Sequence, residues 1–124
     1  NTGISIHNCS ILASPELASH TAGATRTYLG RPWKPYSRTV YMESHMEGVV
    51  DPAGWSEWVG DEGLETLYYG EYANTGPGSA TDDRVTWPGY HVMGYDDAVS
   101  FTVSQLISGD DWLQSTSFPY DDWL

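Results

Sequence analysis

YLGRPWKPYSRTVYMES, residues 28–44, joins a turn-forming segment to a segment that alternates in the manner of a β-strand. In its second half, Val40 and Met42 fall on one face of an extended chain, and their neighbours fall on the other. The first half contains Gly and Pro, the residues that most strongly interrupt regular structure. The stretch therefore predicts a tight turn followed by a strand.

Two further segments alternate in the same way, at residues 3–12 (GISIHNCSIL) and at residues 65–76 (ETLYYGEYANTG). The gaps between the three segments are irregular and longer than hairpin loops, which favours stacked coils with protruding loops over a tight meander. No long amphipathic helix is indicated. Thr102 and Gln105 have the spacing of a capping box and predict a short helix near residues 102–108.

Charge is distributed unevenly along the 124 residues, whose net charge is −12. Residues 1–42 carry a net charge of +3, and residues 43–124 carry −15 with Arg84 as their single base. This acidic part argues against a nucleic-acid partner, because phosphate binding needs a dense basic surface. No apolar run approaches the ~18 residues of a membrane span, so no membrane partner is expected either.

The basic cluster of the opening stretch is the candidate for chemistry. Gly30 can take backbone angles closed to other residues, and Pro32 favours an extended Arg31, so together they are expected to fix where Arg31 and Trp33 project. A fixed guanidinium suits bidentate contact with a carboxylate, and an indole face suits stacking on a sugar ring. The alternative is a structural turn with a buried Trp33 and a surface ion pair.

Other familiar sites find no support. There is no Gly-x-Ser-x-Gly turn and no His-Glu-x-x-His pattern, and the four Asp-Asp pairs lack the spaced ligands of a calcium loop. No metal and no cofactor are therefore expected. The single cysteine, Cys9, lies in an alternating segment and is interpreted as a small buried thiol.

The motifs also carry a resemblance. YLGRPWKPYSRTVYMES, DPAGWSEW, LYYGEYANTGPGS and RVTWPGYHV, followed by the terminal WL and FPY, occur in this order across nearly the whole chain. Together they resemble the C-terminal part of a plant-type pectin methylesterase. The resemblance implies an all-β fold, a right-handed parallel β-helix, with residues 1–124 forming one partial domain, its C-terminal third.

The resemblance implies hydrolysis of galacturonate methyl esters to carboxylates and methanol, without a metal. In this family one aspartate attacks the ester, a second acts as acid and base, and glutamines stabilise the oxyanion. Arg31 matches the arginine that pairs with the nucleophile, and Trp33 matches a tryptophan that lines the substrate cleft. Trp55 is a further cleft candidate, and its alternative is a loop anchor packed on the coils.

The chain departs from the family pattern in one respect. Residues 1–27 contain no Asp and no Gln, although the family places its catalytic aspartates and glutamines before the Leu-Gly-Arg-Pro-Trp motif. We therefore expect a fragment, inactive by itself, or the product of a longer precursor. A pectin-binding remnant and a purely structural fragment remain alternatives. The family implies secretion to the cell wall, pectin as the substrate, and a proteinaceous pectinesterase inhibitor as a further partner.

Overall fold

The computed structural model describes residues 2–19 and 25–124. Its strands are β1 (Ile4–His7), β2 (Ser10–Ile11), β3 (Arg38–Met42), β4 (His45–Met46), β5 (Tyr68–Tyr72) and β6 (Tyr90–Val92). Its helices are α1 (Pro15–Ser19), α2 (Tyr95–Val99) and α3 (Val103–Ile107), followed by two short 3₁₀ helices (Gly109–Asp111 and Leu113–Thr116).

All strand pairs are parallel, as a stack of coils requires. The larger sheet has the order β1-β3-β5-β6, and the smaller sheet pairs β2 with β4. Because parallel neighbours are joined by long crossovers, each coil contributes one strand to the larger sheet and a loop outside it. The expected β-helical stacking is confirmed.

Three coils bend directly after their strands, and each bend has a residue in the same left-handed backbone conformation. Asn8, Glu43 and Ala73 each follow the last residue of a strand and have φ values of 51°, 48° and 50°. This left-handed conformation bends the chain sharply, so that β3 ends at Met42 and β4 begins two residues after Glu43. The strand predicted in the stretch 28–44 therefore ends at Met42, and the residues after the bend form a second strand, β4.

The two central strands of the larger sheet, β3 and β5, have buried residues on both faces. Tyr41 and Tyr69 lie on one face, in a cluster with Trp55, Leu67 and other apolar residues. Val40 and Met42 lie on the opposite face, where α2 and the segment around Phe101 cover them. The alternation predicted from the sequence is confirmed for these strands.

The short elements outside the three alternating segments were only partly predicted. The helix expected near residues 102–108 is confirmed as α3, with the Thr102 side chain accepting from the Gln105 amide at 3.4 Å. Strand β6 and helices α1 and α2 had no predicted counterpart. The interpretation of Cys9 as a buried thiol is wrong, since this side chain is exposed.

Candidate functional site

The segment that carries Arg31 is held by a parallel neighbour. Within this pair, the Leu29 amide donates to the Gly54 carbonyl at 2.7 Å, and the Ser56 amide donates to the Gly30 carbonyl at 3.1 Å. Gly30 and Trp55 form a parallel bridge between these two bonds. The backbone that enters the turn is therefore fixed on both sides of Gly30.

The turn itself directs two side chains to solvent. Pro32 is fully buried, whereas Trp33 is 69% exposed and Arg31 is exposed. The Arg31 guanidinium carbon lies 5.8 Å from the centre of the Tyr28 ring, within range of a cation–π interaction. The turn thus exposes a cation and a flat indole that are separated in sequence by one buried proline, and Trp33 is not buried as the structural-turn alternative required.

Trp55 lies behind this turn and not beside it on the surface. It is 1% exposed, stacks on Tyr69 at 4.2 Å between ring centres, and meets Tyr41 edge-on at 5.8 Å. Its indole N–H donates to Glu71 Oε1 at 3.1 Å. This placement corresponds to the loop-anchor alternative, and a direct contact between Trp55 and a substrate stays untested.

A buried ion pair, which the sequence did not reveal, lies next to Trp55. Arg84 Nε donates to Glu71 Oε1 at 2.9 Å and Arg84 Nη2 donates to Glu71 Oε2 at 3.0 Å, with both side chains 2% exposed. Arg84 also donates to the carbonyls of Pro52 and Gly78, at 3.0 and 2.7 Å. The one available signal was that Arg84 is the only base after residue 42.

One tyrosine hydroxyl bonds to the same carboxylate, and the charge of this carboxylate also acts on a second tyrosine, whose hydroxyl donates to the Leu29 carbonyl at 2.9 Å. Tyr90 donates to Glu71 Oε1 at 3.3 Å. Burial raises the pKa of Tyr90 well above its ordinary value of 10, and the nearby Glu71 charge raises it further. Burial and the Glu71 carboxylate also raise the pKa of Tyr41. Both hydroxyls are therefore neutral donors at ordinary pH.

A groove lies at Pro35, two residues after Trp33. It has a volume of about 570 Å³ and is lined by Pro35, Leu64, Trp87 and two acidic side chains, Asp61 and Glu65. Arg31 and Trp33 do not line it. Among residues 2–19 and 25–124 no cluster of three or more His, Cys, Asp or Glu side chains could hold a metal ion.

Comparisons with known proteins give a consistent result. The family model described as Pectinesterase matches residues 1–110. The chain belongs to the pectinesterase family. The larger part of this match lies on the coils described above, and the family is one of esterases.

Curated plant pectinesterases match the whole chain. One relative, "Probable pectinesterase/pectinesterase inhibitor 12" of Arabidopsis thaliana, is 58% identical over 124 residues, which are 100% of this chain and 22% of that protein. "Pectinesterase 2.1" of Solanum lycopersicum is 56% identical over 99% of this chain and 22% of its own length. The chain thus spans less than a quarter of the length of these relatives.

Solved pectin methylesterases have the same fold. The enzyme from carrot matches with a TM-score of 0.95 and 48% identity over 99% of this chain and 39% of its own. An Aspergillus niger pectin methylesterase matches with a TM-score of 0.62 and 28% identity over 89% of this chain and 32% of its own. The pectinesterase chain is therefore part of a right-handed parallel β-helix, as expected. In the part that the structure describes, no helix is long and apolar enough to cross a membrane.

Proposed function

We propose that residues 1–124 form the C-terminal part of a pectin methylesterase domain and supply the arginine-bearing wall of its active site. The single observation that supports this most strongly is the solvent-facing pair of Arg31 and Trp33 on a turn fixed by buried Pro32. The substrate is methyl-esterified polygalacturonate, and the products are a carboxylate and methanol.

Arg31 acts on the nucleophile in this proposal. An aspartate carboxylate from a preceding segment attacks the ester carbon, and methanol leaves with a proton from a second aspartate. Water then hydrolyses the acyl-enzyme: one proton returns to the second aspartate, the hydroxyl adds to the galacturonate acyl carbon and the first aspartate leaves as a carboxylate. The galacturonic acid then loses its proton to solvent. A guanidinium fork beside the attacking carboxylate keeps it ionised and aimed, because opposite charges lower a carboxyl pKa.

Trp33 binds the sugar in this proposal. Its exposed indole offers a flat apolar face next to the Arg31 cation, and the ring faces of a sugar are apolar enough to stack there. Trp55 supports the turn from behind. The acidic surface of residues 43–124 repels polygalacturonate, so the basic turn also orients the polymer.

Location and partners follow from the family as part of the same proposal. The protein acts outside the cell, in the cell wall, where its substrate is found. The names of several relatives include a pectinesterase inhibitor, so a proteinaceous inhibitor is a further proposed partner. A catalytically inactive pectin-binding module is the second candidate, because the exposed Trp33 does not itself require a nucleophile.

The test uses a chimera, defined as carrot pectin methylesterase in which residues 1–124 replace the matching segment. We expect Arg31→Lys to lower kcat in the chimera about 100-fold, because lysine keeps the charge but loses the planar fork. Methanol release from esterified pectin is the measurement. Arg26→Lys is the matched control, because it is the same substitution at another exposed arginine. Arg26 Nε lies 3.8 Å from Asp51 Oδ2. Equal activity of the two variants would refute the assigned role of Arg31.

A further inference from the structure

We propose that Glu71 and Arg84 are positioning residues for Arg31, acting through Trp55 and the segment from Pro52 to Ser56. This inference rests on the proposed function, and it adds a buried device behind the reactive surface. Neither Glu71 nor Arg84 is exposed enough to touch a polymer, since both side chains are 2% exposed. Any effect on turnover must therefore pass through the residues that they hold.

The first link joins the ion pair to the neighbouring segment. Besides its two bonds to Glu71, Arg84 donates from Nη1 to the Pro52 carbonyl at 3.0 Å. Gly54 packs so closely on Arg84 that a Cβ at this position would overlap the arginine side chain, and its φ of 71° favours glycine. The guanidinium thus fixes the path of the chain from Pro52 to Gly54.

The second link joins this segment to the turn. The Gly54 carbonyl accepts from the Leu29 amide at 2.7 Å, and the Gly30 carbonyl accepts from the Ser56 amide at 3.1 Å. A shift of the Pro52–Gly54 backbone would therefore be passed to Gly30, which directly precedes Arg31.

The third link is the ring of Trp55. Its N–H bond to Glu71 Oε1, 3.1 Å long, fixes the rotation of the indole, and stacking on Tyr69 fixes its plane. A Cβ built on Gly30 would lie 3.2 Å from Trp55 Cζ3, so the ring forms the support directly behind the Arg31 turn. Glu71 thereby contacts both routes to Arg31, one through Arg84 and one through Trp55.

Energetics favours positioning over stabilisation as the role of this pair. Burying two charges carries a large desolvation penalty, and well-packed apolar residues often stabilise a fold as well or better. A bidentate fork, however, fixes geometry in a way that apolar contacts do not. A misplacement of a catalytic group by 1 Å lowers rates about 100-fold, so fixed geometry at Arg31 has kinetic value.

The test is a double-mutant cycle in the chimera. Glu71→Gln is expected to lower kcat about 10-fold with little change in KM, because the isosteric amide loses the ionic fork. If Glu71 acts through Arg31, the variant carrying both Glu71→Gln and Arg31→Lys is no slower than Arg31→Lys alone. Met42→Ala is the control, a buried truncation on the opposite face of the sheet, and its effect should add to that of Arg31→Lys. Additive effects of Glu71→Gln and Arg31→Lys would overturn the proposal.

A second variant and a second measurement keep the proposal testable if Glu71→Gln does not fold or if the chimera is inactive. Trp55→Phe keeps an aromatic ring but removes both the bond to Glu71 and part of the ring that supports Gly30, and we expect a fall in kcat that is again non-additive with Arg31→Lys. Hydrogen exchange at the Leu29 and Ser56 amides should accelerate in Trp55→Phe and not in Met42→Ala. Unchanged exchange would overturn the positioning role whether or not the chimera hydrolyses ester, whereas an inactive but folded chimera would overturn only the proposed function.

Discussion

Arg31 and Trp33 lie on either side of a proline whose side chain is fully buried. This alternation exposes a cation and an aromatic ring to solvent, and the backbone on the N-terminal side of the turn is bonded to Gly54 and Ser56. At the residue scale, the proposed chemistry is concentrated at these two positions. They differ in what their loss should change, because the proposal has Arg31 act on the reacting carboxylate and Trp33 on the sugar.

Trp33→Ala should weaken pectin binding without unfolding the protein. The side chain is 69% exposed, so its removal leaves no cavity, and the lost stacking contributes about 1 kcal/mol. Affinity electrophoresis of the chimera in gels containing esterified pectin measures this directly. Trp123→Ala is the control, since Trp123 is 52% exposed in the C-terminal tail. Equal retardation of the two variants would exclude a binding role for Trp33.

Tyr90→Phe should change the pH dependence of stability. The folded pKa of Tyr90 is raised above 10 by burial and Glu71, so the unfolded chain loses this proton first and stability falls as pH rises above 10. The variant loses a hydrogen bond to a charged group, at about 1.5–3 kcal/mol, but also loses this alkaline dependence. Urea unfolding measures the free energy of unfolding of the parent protein and of Tyr90→Phe at about pH 8 and at about pH 11. The difference in this free energy between the two proteins should be smaller at about pH 11. A constant difference would be evidence against the raised pKa.

At the element scale, the strands were predictable and most of the helices were not. The alternation of side chains between two faces was sufficient to predict β1, β3 and β5, because each of these strands packs side chains on two different faces. Helices α1 and α2 have five residues each, too few for a periodic pattern. The signal for α1 lay in its cap, where the Ser14 hydroxyl accepts from the Leu17 amide at 3.2 Å.

Thr102→Ala should destabilise the chimera by about 1 kcal/mol, because the Thr102 hydroxyl caps α3. The same hydroxyl donates to the Val99 carbonyl at 2.8 Å, but this carbonyl also accepts from the Thr102 amide at 3.1 Å and keeps that donor in the variant. Urea denaturation measures the free energy of unfolding. Thr102→Ser keeps both bonds and should stay close to the parent protein. An alanine variant as stable as the parent would show that the cap contributes nothing.

At the scale of the whole molecule, the motifs predicted the fold and the surface pair, but they did not predict the buried pair. Glu71 and Arg84 meet because strand β5 stacks against its neighbours while the loop after it folds back over Pro52. That meeting depends on the path of a long loop, which spacing along the chain does not determine. Trp55 illustrates the same limit: its motif identified it as important, and only packing placed it behind the turn.

The central claim is that this chain is one wall of a pectinesterase active site and needs the rest of the domain for chemistry. Methanol release from esterified pectin by the 124-residue chain alone and by the chimera tests it most directly. We predict no turnover by the chain alone and turnover by the chimera close to that of the carrot enzyme. Turnover by the chain alone, or a folded chimera without activity, would contradict the account.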